Sequence, residues 1–119
     1  MSYSPKDLYK KILGRKGERL AEKYLKGLGY TLLKRNFTTP FGEADLIVQD
    51  KDETVFVEVK TRTDTAYGTP REAVGKQKRQ RYTQIAKFYW KCDGEEPNAR
   101  FDVVEVYADG TIEHYKNAF

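Results

Sequence analysis

The segment from Gly42 to Arg62, GEADLIVQDKDETVFVEVKTR, is the part of the sequence that most constrains the fold. It contains two apolar stretches, Leu46–Val48 and then Val55–Val57 with Val59, and they have the β-branched composition of strands. The charged residues at 50–53 separate the runs and have the composition of a tight turn. The segment therefore predicts a β-hairpin.

The same turn predicts the register of the hairpin. If the turn centres between Lys51 and Asp52, Asp45 stands opposite Glu58, with Cβ atoms roughly 5 Å apart. Strand alternation then places Lys60 on the same face as Glu58. This register gathers two carboxylates and an amine on one small patch, whereas a slip of one residue would separate them.

Two carboxylates facing each other destabilise a sheet unless a proton, a cation or a metal ion offsets their charge. Mg²⁺ binds through one or two carboxylates together with waters and phosphate oxygens. Such an ion acidifies a bound water, and Lys60 could orient that water or stabilise the developing oxyanion. The alternative is a solvent-facing ion pair between Lys60 and one of the acids, because exposed ion pairs are common and mostly incidental.

Composition narrows the chemistry further. The chain has 119 residues, which predicts one domain over residues 1–119 with a flexible tail at 1–5. The only serines are Ser2 and Ser4, and the only histidine is His114, which argues against nucleophilic triads and against zinc sites rich in histidine or cysteine. Carboxylates, lysines and a hard cation remain as the means of catalysis.

A cytoplasmic location is the expectation from composition. No hydrophobic run is long enough to span a membrane, and no signal peptide pattern is present, so no membrane partner is predicted. The lone cysteine, Cys92, excludes an internal disulfide and fits a reducing compartment.

The net charge of +4 is unevenly distributed along the chain. It is +7 over residues 1–35, −4 over 36–70, +6 over 71–92 and −5 over 93–119. An acidic strand region between basic helical segments suits a polyanion held over an acidic, metal-binding centre. Two solvated helix faces are the alternative.

Apolar residues at helical spacing predict a first helix from about Lys6 to Leu28, ended by Gly29. Gly14 and Gly17 each cost a helix roughly 1 kcal/mol relative to alanine, so they mark either a break or the close approach of another backbone. Glu18 lies at the edge of the apolar face, from which it could reach a site on the sheet. The alternative for Glu18 is an ordinary surface ion pair, for instance with Arg15.

The remaining pattern predicts a strand at 30–37, a turn at 39–42, a loop at 63–70, a second helix, a loop at 93–98, and strands at 101–107 and 111–115. The second helix runs to Cys92 and begins at about Arg71 or, alternatively, at Gly75. Its Tyr82, Ile85, Ala86 and Tyr89 should face the sheet. This order predicts an α/β domain with a mixed sheet flanked by helices, in which 54–62 and 101–107 pair in parallel.

Four basic side chains crowd the start of that second helix: Lys76, Lys78, Arg79 and Arg81. If the helix begins at Gly75, they oppose its dipole, which a phosphate partner would explain. A solvated charge cluster is the alternative.

Several motifs together resemble one known superfamily. Glu18, Asp45 and Glu58-Val59-Lys60 resemble the PD-(D/E)XK nucleases, with their restriction-endonuclease-like αβββαβ core. The match is closer to the YraN-like bacterial family, whose motifs are similar to the segments 14–21, 42–47, 55–62 and 100–103. A weaker resemblance extends to archaeal Holliday-junction resolvases.

The resemblance implies metal-dependent hydrolysis of phosphodiester bonds, in DNA and on branched or damaged structures. By that likeness Asp45 and Glu58 bind Mg²⁺ or Mn²⁺, Lys60 positions the attacking water, and Glu18 completes the catalytic set. Glu43 is expected behind these ligands. The expected contacts to nucleic acid are Arg15, Arg62, Lys76 and Lys78.

Two other hypotheses stay open beside the nuclease. One is a non-catalytic nucleic-acid-binding or accessory protein, and the other is an interaction protein with a vestigial site. The resolvases act as dimers, so a homodimer is an open alternative as well.

Overall fold

The structure, a computed structural model, describes residues 5–63, 76–93 and 98–118. Its helices are α1 (Pro5–Gly27) and α2 (Lys76–Asp93). Its strands are β1 (Thr31–Thr39), β2 (Gly42–Asp50), β3 (Glu53–Arg62), β4 (Asn98–Tyr107) and β5 (Ile112–Tyr115). They form one sheet in the order β1-β2-β3-β4-β5, in which β3 and β4 are parallel and the other neighbours antiparallel. The predicted αβββαβ order with a mixed sheet is confirmed, and β5 extends it.

The helices cover opposite faces of the sheet. Ala21 and Leu25 of α1 pack against alternate residues of β2, β3 and β4, including Leu46. On the other face, α2 packs against Ile47 and Phe56 through the four residues predicted to face the sheet, Tyr82, Ile85, Ala86 and Tyr89. Because both faces are buried, the central strands are apolar on both sides.

The first helix ends just before Gly29, as the sequence predicts. Gly29 has a φ of 94°, in the left-handed region that glycine adopts without strain. Its N–H donates to the Lys26 carbonyl at 2.9 Å, and the Tyr30 N–H donates to the Leu25 carbonyl at 3.1 Å. These two bonds form a Schellman motif, so the predicted stop at Gly29 is confirmed.

The two glycines inside α1 do not break it, because the helix is continuous from Pro5 to Gly27. A Cβ atom at Gly17 would clash with Oγ1 of Thr61 on β3, whereas one at Gly14 would meet no atom within 4 Å. The close approach at Gly17 is therefore that of a side chain, Thr61, rather than of another backbone, and the alternative of a helix break is wrong. Gly17 lets the first half of α1 lie directly on the end of β3.

A buried network of charged groups joins β4 to its surroundings. Arg100 donates to both carboxylate oxygens of Asp102, at 2.9 and 3.0 Å, and to Asp50 at 2.8 Å. The His114 ring on β5 lies 2.7 Å from Asp102, and the Arg100 guanidinium also donates to the Tyr30 hydroxyl at 3.0 Å. The motif at 100–103 therefore ties the hairpin turn, the start of β1 and β5 together.

Several predictions fall outside the described residues. They are residues 1–4 of the tail predicted at 1–5, the loop at 64–70, the start of the second helix at Arg71 or Gly75, and the loop at 94–97. The tail prediction is wrong at its last residue, because Pro5 begins α1. Within the described parts of the chain, neither helix is both long and apolar enough to cross a membrane.

Candidate active site

The site lies where the β2–β3 ladder ends. The pairs run in the predicted register from Asp50 and Glu53 to Leu46 and Val57. The paired stretch stops there, so the predicted Asp45–Glu58 pair is not part of it. Instead, Oδ2 of Asp45 accepts the Val59 N–H at 2.8 Å. The two strands diverge at this point, and the Asp45 carboxylate lies in the fork between them.

A break in the alternation of β2 explains the fork. Ala44 and Ile47 both pack in the α2 cluster although they are three residues apart, whereas Leu46 packs in the α1 cluster. In a regular strand, Ala44 would share a face with Leu46 rather than with Ile47. The strand therefore twists at Asp45, and the predicted Asp45–Glu58 pair is wrong because the regular ladder ends one residue earlier, at Leu46 and Val57.

Three carboxylates converge at the fork. One oxygen from each of Glu18, Glu43 and Asp45 lies within 4.8 Å of the others, and we call this group the carboxylate cluster. Glu18 reaches it from α1, and the other two come from β2. The Asn36 amide lies between the two glutamates, and with its nitrogen facing them it donates to Oε1 of each at 2.9 Å. Asn36 has a φ of 49°, a left-handed conformation that asparagine tolerates better than most residues.

The cluster holds more negative charge than its surroundings neutralise. Burial raises the pKa of Asp45 to about 6, and the charges of Glu43 and Glu58 add to the rise, while the Val59 N–H and Lys78 oppose it. Burial also raises the pKa of Glu18, with the charges of Asp45 and Glu43 adding to it. A proton or a cation relieves this repulsion. All the donors are carboxylate oxygens, which fits a hard cation such as Mg²⁺ or Mn²⁺.

The other predicted residues of the catalytic set lie on β3. Glu58 forms an ion pair with Lys78 of α2, at 2.5 Å. The charge of Glu58 adds to the rise in the pKa of Asp45, but Glu58 is not in the carboxylate cluster. Lys60 is two residues further along β3. In the parallel pairing of β3 with β4, the residue opposite Lys60 is Glu105. The predicted metal pair of Asp45 and Glu58 is thus divided between the cluster and an ion pair with α2.

The four predicted nucleic-acid contacts differ in their surroundings. Arg15 is exposed and lines a groove of about 410 Å³ that also contains Glu18 and Asp45. Lys76 is exposed at the start of α2. Lys78 is paired with Glu58, and Arg62 donates to the buried Glu105 carboxylate at 2.7 Å. Arg15 and Lys76 are thus the more accessible pair.

Glu43 lies in the carboxylate cluster rather than behind it, and Asn36, which was not predicted near the site, contacts both glutamates. Glu43 is two residues before Asp45, and that spacing was a usable signal for a shared strand face. Asn36 had no local signal, because its role depends on how β1 pairs with β2. Thr38 pairs with Glu43 in that ladder, which brings Asn36 to the cluster.

The fold and the site define a class: a small α/β protein with a carboxylate cluster at a fork in its sheet. Residues 17–106 match the model of the Uncharacterised protein family UPF0102. The match covers well over half of the chain, so the chain belongs to the UPF0102 family.

Two relatives with the same family name align with this chain over most of their own length. A UPF0102 protein of Desulfosudis oleivorans is 46% identical over 108 residues, covering 89% of this chain and 88% of the relative. A UPF0102 protein of Caldanaerobacter subterraneus subsp. tengcongensis is 40% identical over 121 residues, covering 96% and 99%. The crystal structure of SSO0001 overlaps 98% of this chain and 53% of its own, with a TM-score of 0.43 and 19% identity. That likeness is too remote to support an inference.

Proposed function

We propose that this protein is a metal-dependent nuclease that hydrolyses phosphodiester bonds of DNA, including branched or damaged DNA. The observation that carries the proposal is the carboxylate cluster, Glu18, Glu43 and Asp45, with its oxygens within 4.8 Å and the pKa of Asp45 raised to about 6. Such a group is costly to keep in a fold, and a bound divalent cation offsets the cost.

The residues of the site have distinct roles in this proposal. Glu18, Glu43 and Asp45 hold Mg²⁺ or Mn²⁺, and a bound ion supplies charge stabilisation and an acidified water. Glu58 lies across the fork and contributes negative charge at its far side. Lys60, on the same strand face as Glu58, orients the water or stabilises charge on the phosphate.

A second candidate function is nucleic-acid binding without turnover. The observation in its favour is the 2.5 Å ion pair between Lys78 and Glu58. An amine in that position neutralises a carboxylate that the resemblance assigns to the metal. A binding protein could keep the fold and the basic surface while this pair remains closed.

The decisive experiment is cleavage of a labelled DNA panel in Mg²⁺ or Mn²⁺: single strand, duplex, flap and four-way junction. We expect cleavage by the parent, and a loss of at least about a hundredfold in Asp45→Asn and Lys60→Ala, as for removal of one group that stabilises a transition state. The matched control is Asp52→Asn, the same chemical change at an exposed position of the same hairpin.

Equal losses in Asp52→Asn and Asp45→Asn would contradict the assignment of the site. If the parent does not cleave yet binds DNA in a salt-sensitive way, the binding function replaces the nuclease. In that case Lys76→Ala, at an exposed position, should reduce the DNA affinity, and metal-dependent cleavage should stay absent.

A further inference from the structure

A continuous groove leads away from the carboxylate cluster between α1 and β1. It consists of two concavities of about 410 and 510 Å³, and both are lined by Arg19, Glu22 and Arg35. The first contains Asp45, and the second extends to Lys26. The shared residues make the two concavities one surface that starts at the cluster.

One wall of the groove is a basic stripe on α1. Arg15, Arg19 and Lys23 follow each other at four-residue intervals, and Lys26 comes three residues later, so all four lie on one side of the helix. Like charges at this spacing destabilise a helix, so the stripe costs the fold some stability. Within the described part of the chain, neither Arg19 nor Lys23 forms an ion pair. Among the described residues, no counterion neutralises them, and in that part of the structure their charge is available to a partner.

The other wall carries one further cation, Arg35 on β1. Glu22 accepts from Nε and Nη2 of Arg35, at 2.7 and 2.9 Å, and pairs with Lys26 at 2.9 Å. These partners lower the pKa of Glu22 to about 2. Surface ion pairing thus explains Glu22, Lys26 and Arg35, but it does not explain Arg19, which lines both concavities, or Lys23, which lines the second.

We propose that this surface, the α1–β1 track, binds the phosphate backbone of the DNA strand that is cleaved at the carboxylate cluster. The track is defined by Arg15, Arg19, Lys23, Lys26 and Arg35. This inference rests on the proposed nuclease function and adds the path of the substrate. The charge of the track is complementary to a polyanion, and its continuity with the cluster sets where the strand enters.

The length of the track predicts the length of DNA that it contacts. Lys26 comes eleven positions after Arg15, and this spacing corresponds to about 16 Å along a helix. At about 3.4 Å per nucleotide of one strand in duplex geometry, the track spans about five nucleotides on one side of the scissile bond.

The test is DNA binding measured without a divalent cation, so that it does not depend on catalysis. Arg19→Gln/Lys23→Gln is compared with Lys87→Gln/Lys91→Gln, an exposed pair with the same spacing on α2. Both changes remove two positive charges, and glutamine keeps helix propensity. The probe is a fluorescent single strand of about 20 nucleotides, several times the length of the track, with affinity read by anisotropy over a range of salt concentrations.

We expect the plot of log affinity against log salt to become shallower by about 1.4 for Arg19→Gln/Lys23→Gln, since each phosphate contact on a single strand contributes about 0.7. Lys23→Gln alone should give about half of that change. The α2 pair should change the slope far less. Equal slopes for the two double variants, or no change in either, would overturn the track.

The binding test and the cleavage test can fail independently of each other. Cleavage of the DNA panel with an unchanged slope in Arg19→Gln/Lys23→Gln would refute the track and leave the nuclease standing. A changed slope without cleavage would refute the nuclease and leave the track as a binding surface.

Discussion

Asp45 has two structural roles at once. Its Oδ2 accepts the Val59 N–H, so it replaces a backbone carbonyl at the end of the β2–β3 ladder. Its carboxylate also belongs to the cluster with Glu18 and Glu43. Burial and neighbouring charges raise its pKa to about 6, above the usual value of 3.8. Ionised Asp45 therefore opposes folding in the metal-free protein.

Replacing Asp45 by asparagine should stabilise the metal-free protein at pH 7. The folded state binds a proton at Asp45 more tightly than the unfolded chain does, so stability from this group is lost as pH rises from about 4 to about 6. Asparagine keeps an oxygen for the Val59 N–H but has no charge. We expect a gain of about 1–2 kcal/mol at pH 7 after allowing for partial exposure, measured by urea unfolding in EDTA.

The pH series supplies the control for this prediction. The difference in unfolding free energy between parent and Asp45→Asn should grow from pH 4 to pH 6 and stay level above pH 7. A difference that is independent of pH would mean that Asp45 titrates normally in the folded state.

At the scale of elements, the contact between α1 and β3 sets the depth at which Glu18 reaches the fork. Gly17→Ala should destabilise the protein by about 1–2 kcal/mol, because overpacking against Oγ1 of Thr61 outweighs the gain of about 1 kcal/mol in helix propensity. The measurement is the free energy of unfolding in denaturant.

The effect of Gly17→Ala on the free energy of unfolding should change sign when Thr61 is shortened. In a Thr61→Ala background the clashing hydroxyl is gone, and the Thr61 Cβ at 3.6 Å is an ordinary contact. Gly17→Ala should then stabilise by about 0.5–1 kcal/mol. Gly14→Ala, with no atom within 4 Å of the added Cβ, is the matched control and should stabilise in both backgrounds. Destabilisation by Gly17→Ala in both backgrounds would rule out the Thr61 contact as its cause.

Most elements of the fold could be predicted from the sequence, because their signals are local. The turn at 50–53 gave the register of the hairpin, and Gly29 gave the end of α1. The fork could not be predicted, because nothing in Gly42–Ile47 signals that the alternation breaks at Asp45. Glu43 was placed behind the site for another reason, its position at the start of the strand beside Gly42.

At the scale of the whole molecule, the cluster is assembled from distant segments. Glu18 comes from α1, Asn36 from β1, and Glu43 and Asp45 from β2. The network around Arg100 is likewise long-range, since it reaches Asp50 and, through Asp102, His114. Sequence patterns identify which side chains carry charge, but only the packed sheet determines which of them meet.

A divalent cation that binds this assembly should stabilise the entire fold. At Mg²⁺ or Mn²⁺ a hundredfold above the dissociation constant, linkage gives about 2.7 kcal/mol. For a chain of 119 residues this corresponds to a rise in Tm of about 10 °C. The rise should disappear in Asp45→Asn and remain in Asp52→Asn, as measured by calorimetry at pH 7.5 with fixed ionic strength.

A rise of the same size in Asp45→Asn would place the binding ion elsewhere. Absence of any rise in the parent, at concentrations up to those used for cleavage, would contradict a resident cation at the cluster.

The hydrogen bond from Val59 to Asp45 gives the protein an internal spectroscopic reporter. Because that N–H donates to a carboxylate and not to a backbone carbonyl, its electronic environment follows the charge on Asp45. In a ¹⁵N–¹H correlation spectrum, the Val59 peak should shift as Asp45 titrates, while the peak of Val55, which pairs with Val48 inside the regular ladder, should hold its position. A single amide resonance would thus report the state of the candidate active site in the unmodified protein.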